Sequence, residues 1–125
     1  MGKGFLIDTN AIIDFTTSSL PGVGQKLMTK VLDGHPTISV IVEIELLGFP
    51  SVETTISKFM DRAIILPLDS AIVQQTISIR KKQKVKLPDA IIAATAIVHG
   101  LNLITRNTKD FLKIKGLKVV DPHQA

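Results

Sequence analysis

Apolar and polar positions fall in short blocks along the chain, and their period changes repeatedly. Phe5-Leu6-Ile7 is an unbroken apolar run closed by Asp8, the pattern of a buried strand. A short helix is predicted to follow at once over Thr9–Phe15, then a polar loop over Thr16–Gly22. Val23, Leu27, Val31 and Leu32 share one helical face, which predicts a helix over Val23–Leu32 with Gly34 just past its end. Next come a strand at Thr37–Val40 and a helix at Ile41–Leu47, stopped by Gly48 and Pro50. Ser51 is the expected cap of a helix reaching Arg62, with Glu53 in its first turn.

Ala63–Leu66 reads as a strand ended by Pro67, and Ser70–Lys82 as a helix capped by Asp69. Ile72, Ile77 and Ile79 leave that helix a mixed face. Pro88 suits the first turn of the following helix, which runs to His99 and stops at Gly100. Asn102–Thr105 and Lys118–Val120 are the last strands, with Asp110 in a short helix between them. Strands thus alternate with helices from end to end. That order predicts one α/β domain over residues 1–125, a three-layer α/β/α sandwich with a mostly parallel central sheet. Sites in such sheets form beyond the carboxyl ends of the strands, near a switch in strand order. Asp8 and Thr105, both at strand carboxyl ends, would share that crevice.

Composition narrows the partners. A mean hydropathy of +0.32, with abundant Ile, suggests that a partner covers some apolar surface. No window approaches ~18 uninterrupted apolar residues, so no membrane span is expected. The apolar part of MGKGFLIDTN is too short for a signal peptide. Cysteine is absent, which excludes disulfides, thiol catalysis and thiolate metal sites, and a cytoplasmic protein is expected. The net charge of +4 favours polyanionic partners. With no Tyr or Trp, a base-stacking surface is poorly supplied.

Three acids stand where apolar elements begin or end: Asp8, Asp89, and one of Glu43 and Glu45. A buried carboxylate costs several kcal/mol unless it is paired or bound to a cation. Three of them without an obvious positive partner would suit a hard divalent metal. Plainer explanations exist for each. Asp8 is a good helix cap, and Asp89 in a first helical turn complements the macrodipole. Yet the helix after Asp89, AIIAATAIV, is apolar on nearly all faces, which turns its first turn toward the interior. Glu43 and Glu45 diverge by about 200° on a helix, so both cannot aim at one point, and periodicity does not choose between them. In LITRNTKDF, Thr105 and Asn107 can bond a phosphate or a metal-bound water, and Asp110 can supply a further carboxylate. An ordinary strand-to-helix turn explains the same residues. Arg80, Lys81, Lys82, Lys84 and Lys86 form a basic run leading into Asp89. It is either a solvated helix end or a phosphate-backbone contact. His35, His99 and His123 lack ligand spacing and are read as structural or surface residues.

Four segments, LIDTNAIIDF (6–15), ISVIVEIELLG (38–48), LPDAIIAATAIVHGLNLITRN (87–107) and KDF (109–111), occur in one register over essentially the whole chain. Together they resemble the PIN-domain ribonucleases, above all the VapC-type toxins of bacterial and archaeal toxin–antitoxin pairs. The resemblance implies that Asp8, Glu45 and Asp89 are catalytic metal ligands. It selects Glu45 because the family acid immediately precedes Leu-Leu-Gly. The fourth family acid falls at Asn107, a neutral oxygen donor, for which Asp110 a turn later would compensate. Thr9 and Thr105 match the family's small hydroxyls and, with Arg106, Lys84 and Lys86, are the expected substrate contacts. The implied chemistry is hydrolysis of RNA phosphodiester bonds assisted by Mg²⁺ or Mn²⁺, often on transfer RNA. Also implied are a cognate antitoxin and a homodimer. Ile12, Ile13 and Phe15 follow Asp8, and Leu46, Leu47 and Phe49 follow Glu45; not all fit a small core, so a groove exposing some of them beside the carboxylates is the expected antitoxin seat.

Two other classes fit parts of the pattern. A catalytically weak or inactive PIN scaffold binding RNA or protein would explain Asn107. An aspartate-based phosphoacceptor or phosphatase also carries Asp after its first strand, but Asp8-Thr9-Asn10 has no acid at plus two.

Overall fold

A computed structural model describes residues 4–33, 35–48 and 54–124. Five strands, β1 (Phe5–Ile7), β2 (Thr37–Ser39), β3 (Ile64–Leu66), β4 (Asn102–Ile104) and β5 (Val119–Val120), form one sheet of order β3-β2-β1-β4-β5. Every pairing is parallel. Seven helices among the described residues flank it: α1 (Thr9–Thr16), α2 (Gly22–Leu32), α3 (Val40–Leu47), α4 (Thr54–Arg62), α5 (Ser70–Lys82), α6 (Leu87–His99) and α7 (Thr108–Phe111). The expected α/β/α sandwich is the fold observed.

Strand order reverses between β1 and β4, which pair Phe5 with Asn102, Leu6 with Leu103 and Ile7 with Ile104. Leu6, Ile7, Leu103 and Ile104 are fully buried there. Each such side chain contributes about 1.5–3 kcal/mol of burial, so the junction beneath the crevice is firmly held. Helix α6 adds an unbroken buried run from Ala90 to Ala96 and packs along α5. Its small residues allow that close approach. Its end is set by Gly100, whose φ of +65° is a left-handed conformation that suits a residue without Cβ.

Local chemistry places most boundaries as expected. Asp69 accepts from the Ile72 amide at 3.0 Å and caps α5. Ser39 accepts from the Ile41 amide and starts α3 one residue earlier than the apolar pattern suggests, taking Val40 out of β2. Ala63, Thr105 and Lys118 lie just outside the strands predicted to contain them. The expected cap Ser51 and first-turn Glu53, with Gly34, Phe49 and Pro50, fall outside the described residues.

The buried face of α2 is a correction. Val23 is 61% exposed, and Gly24 and Met28 point inward instead. A Cβ on Gly24 would stand 1.8 Å from the Pro122 carbonyl oxygen, so the C-terminal segment lies directly on this helix. Only hydrogen fits at that crossing. On α5, Ile72 and Ile79 are buried while Ile77 is exposed. Among the described residues, no helix is long and apolar enough to cross a membrane.

Candidate active site

The crevice at the β1–β4 junction begins with Asp8, whose backbone amide donates to the Ile104 carbonyl at 2.9 Å. Its φ and ψ of −79° and 157° continue the strand, and Oδ1 accepts from the Thr9 amide at 2.8 Å. The capping expectation is therefore correct, and it uses only one carboxylate oxygen. Oδ2 accepts from the Thr105 hydroxyl at 2.8 Å and, more weakly, from Asn10 Nδ2 at 3.3 Å. Thr105 thus ties the end of β4 to the end of β1.

The remaining acids arrive from three helices. Glu45 stands at the exposed rim on α3, and its Oε1 accepts from the Thr9 hydroxyl at 2.7 Å. Asp89, half-buried in the first turn of α6, and Asp110, exposed on α7, complete the group. Burial pushes the Asp8 carboxyl above the usual carboxylate range. Its hydrogen bonds from Thr105 and Thr9 oppose that shift, and the charges of Asp89 and Glu45 add to it. Asp89 is raised as well, first by desolvation, then by Asp110 and Glu45, with Lys86 pulling the other way. On α3 it is Glu45 that bonds Thr9 beside Asp8, and its charge bears on both Asp8 and Asp89.

Asn107 and Asp110 are in direct contact, Asn107 Nδ2 donating to Asp110 Oδ2 at 2.9 Å. The Asn107 amide also donates to the Thr105 hydroxyl oxygen at 3.1 Å. Lys84 and Lys86 are exposed on the α5–α6 connection, and Lys113 Nζ donates to the Lys84 carbonyl at 3.0 Å. Arg106, expected as a substrate contact, turns its guanidinium onto Asp14 instead, with Nη1 2.8 and 3.0 Å from the two carboxylate oxygens.

Among the described residues, no three carboxylate or imidazole groups are close enough to form a ready-made cage for an ion. The donors are nonetheless all oxygen and the cleft carries excess negative charge. The ion pairs among the described residues lie outside it, on Asp14. That chemistry fits Mg²⁺ or Mn²⁺ held through one or two carboxylates with waters completing the shell.

Of the apolar residues expected to flank a groove beside the acids, Leu47 is exposed and Ile13 and Phe15 are half-buried. Ile12 and Leu46 are fully buried in the core, and Phe49 lies outside the described residues. A groove of about 1060 Å³ opens between α2 and α4, where Phe15, Leu32 and Phe59 meet Lys26, Lys30, Lys58 and Arg62, with Asp33 and Asp61 alongside.

Two residues carry more of the site than their sequence context suggests. Asn10 bonds Asp8 and Thr105 through Nδ2, and its Oδ1 accepts from the Arg106 amide at 3.1 Å. Asp14 is buried and meets both Arg106 and His123. Their i, i+4 spacing on α1 was the available signal, since it puts both on one helix face.

Comparison with known proteins agrees with this geometry. The PIN domain family model matches residues 5–117. A chain in a toxin–antitoxin complex from Klebsiella pneumoniae is 35% identical, with a TM-score of 0.76 over 95% of this chain and 98% of that one. In the DNA-bound VapBC structure from Salmonella typhimurium, a chain with 25% identity superposes with a TM-score of 0.78, covering 97% and 99% of the two chains. Ribonuclease VapC1 of Rickettsia felis is 59% identical over 32 residues, a match taking in 26% of this chain and 24% of that protein. The chain belongs to the PIN domain family.

Proposed function

We propose that this protein is a divalent-metal-dependent endoribonuclease and the toxin of a toxin–antitoxin pair. One observation carries the reading. Asp8 is buried at the strand-order switch, held only by neutral donors and pushed toward protonation by desolvation and by two further acids. A bare cleft of that kind is unfavourable, and a divalent cation compensates it. Asp8, Glu45 and Asp89 would hold the ion, with Asp110, steadied by Asn107, completing the set. A bound Mg²⁺ or Mn²⁺ would supply Lewis acidity and neutralise charge at the phosphodiester. Thr9 and Thr105 keep the Glu45 and Asp8 carboxylates aimed into the cleft. Lys86, whose charge bears on Asp89, and the exposed Lys84 would contact phosphates of the RNA, with transfer RNA the first candidate.

An antitoxin segment carrying apolar anchors and acidic side chains would fit the α2–α4 groove with its phenylalanines and lysines. Support comes from the Klebsiella chain, which was solved as a toxin–antitoxin complex. For the homodimer, Val73 and Ile77 offer an exposed apolar stripe on α5.

Purified protein should cleave RNA with Mg²⁺ or Mn²⁺ and lose that activity in EDTA. Asp8→Asn should lower cleavage by about 10³-fold or more, as expected when several kcal/mol of transition-state stabilisation is removed. Expression without a partner should arrest growth, and Asp8→Asn should abolish the arrest. Full cleavage by Asp8→Asn would sink the metal mechanism. Strong cleavage in vitro by a protein harmless in cells would leave a nuclease that is not a toxin.

A further inference from the structure

Arg106 is held at both ends by one face of α1. Its backbone amide donates to Asn10 Oδ1 at 3.1 Å, and its Nη1 reaches both oxygens of Asp14 at 2.8 and 3.0 Å. Asn10 and Asp14 are four residues apart, hence stacked on successive turns of that face. Arg106 stands between Thr105, which bonds Asp8, and Asn107, which bonds Asp110. Fixing Arg106 therefore fixes the spacing between the Asp8 and Asp110 ends of the cleft.

A third element closes the arrangement. His123 Nε2 lies 2.9 Å from Asp14 Oδ2, and because an ionised carboxylate only accepts, the ring donates. Asp121 Oδ1 accepts from the His123 amide at 2.8 Å, and Pro122 between them rests on Gly24. The C-terminal segment is thus wedged against α2 with its imidazole on the carboxylate that grips Arg106. Asp14 is 4% exposed, whereas half of the Arg106 side chain is open to solvent. The buried partner is the anchor, and the arginine is the arm that it holds.

We propose that Asp14 is a positioning residue for the cleft, acting through Arg106, with His123 as its C-terminal brace, and that Arg106 does not serve as an RNA contact. This rests on the nuclease reading above but concerns a different set of side chains. Neither Asp14 nor His123 need touch metal or RNA. They hold the Thr105–Asp110 turn at the distance from Asp8 that ion and phosphate require, as outer-shell partners of a metal site do.

The test compares Asp14→Asn, Arg106→Gln, Arg106→Lys, His123→Gln and the double variant Asp14→Asn/Arg106→Gln, all below their melting temperatures. Steady-state RNA cleavage is measured at two salt concentrations, and amide hydrogen exchange is followed over residues 105–110. Asp14→Asn and Arg106→Gln should each lower kcat by about 10- to 100-fold while leaving KM within about twofold. The double variant should be no worse than the poorer single, because both break one contact. Arg106→Lys should recover part of kcat, and His123→Gln should show a smaller loss. Exchange in the turn should quicken in both principal variants while β1 and β4 stay protected. A raised KM with a salt slope about one unit shallower for Arg106→Gln, with Asp14→Asn unaffected, would make Arg106 a phosphate contact and overturn the proposal. Unchanged kcat and exchange in both variants would overturn it equally. If wild-type protein cleaves no RNA, the nuclease reading fails by itself, and the exchange comparison still decides whether Asp14 holds the turn.

Discussion

Asp8 caps helix α1 and Asp14 lies in its last turn, and the two are almost equally buried at 6% and 4% exposure, yet the chain treats them in opposite ways. Asp14 meets a guanidinium and an imidazole, so its charge is answered within the protein. Asp8 meets an amide, a hydroxyl and a carboxamide, and its charged neighbours Asp89 and Glu45 are acids. Burial alone does not mark a functional carboxylate. The sign of its neighbours does: a compensated acid belongs to the scaffold, and an uncompensated one leaves room for a cation from outside.

Stability should separate the two most sharply. Asp14→Ala removes the acceptor of two donors and leaves a void at a buried position. Breaking a buried pair costs about 3–5 kcal/mol, and the exposure of Arg106 brings the expected loss to about 2–4 kcal/mol. Asp8→Asn should instead leave the metal-free fold as stable or raise its melting temperature, since repulsion from Asp89 and Glu45 is relieved. Thermal unfolding of both variants in EDTA checks the contrast. Equal losses would mean that Asp8 is an ordinary structural acid.

How much of this was visible in the chain follows from the range of each interaction. Asp69, Ser39 and Gly100 act on residues within one turn, so the helix ends they set were legible or missed by a single position. The alternation of strands and helices fixed the sandwich, and Asp8 at the end of Phe5-Leu6-Ile7 pointed at the crevice. Glu45 could not be told from Glu43 by period, because only the hydroxyl of Thr9, 36 residues away, distinguishes them. Asp14 offers only its i, i+4 spacing from Asn10, because its partners Arg106 and His123 lie 92 and 109 residues further on. The buried face of α2 is not legible locally because Gly24 lacks an apolar side chain, and its burial depends on Pro122. Which of Ile12, Ile13, Leu46 and Leu47 stay exposed is not legible either, because nothing local says how deep a short helix sinks.

Acidity provides a second, smaller contrast. Asp8 and Asp89 both have folded-state pKa values raised above 3.8, chiefly by desolvation. Between 3.8 and those raised values the folded protein binds more protons than the unfolded chain. Metal-free stability should therefore fall as pH rises through that window and stay lower above it. Melting temperatures measured in EDTA across the window should show the decline, and Asp8→Asn should flatten it by a few degrees. With Mg²⁺ in excess the trend should reverse, because the ion requires charged ligands. An identical pH dependence in wild type and Asp8→Asn would mean that Asp8 is not the group responsible.

The finest distinction lies between Asn107 and Asp110. Replacing Asn107 by Asp adds a negative charge beside the proposed ion but removes the 2.9 Å donor that steadies Asp110. Without metal the two carboxylates would repel, so Asn107→Asp should cost the apo protein on the order of 0.5 kcal/mol at this solvated edge. With metal present, the added charge should outweigh the lost hydrogen bond, because a divalent cation attracts each carboxylate with twice the force of a single charge. A tightening of about 3- to 10-fold in Mn²⁺ affinity is expected by calorimetry, with a higher midpoint for EDTA inhibition. The converse variant, Asp110→Asn, keeps an acceptor for Asn107 Nδ2 but removes the strongest repulsion on Asp89. It should weaken metal binding by a similar factor. Tightening in the first with weakening in the second would make the pair one ligand position shared between an amide and an acid. No change in the first with full loss in the second would leave Asp110 as the sole contributor and reduce Asn107 to its support.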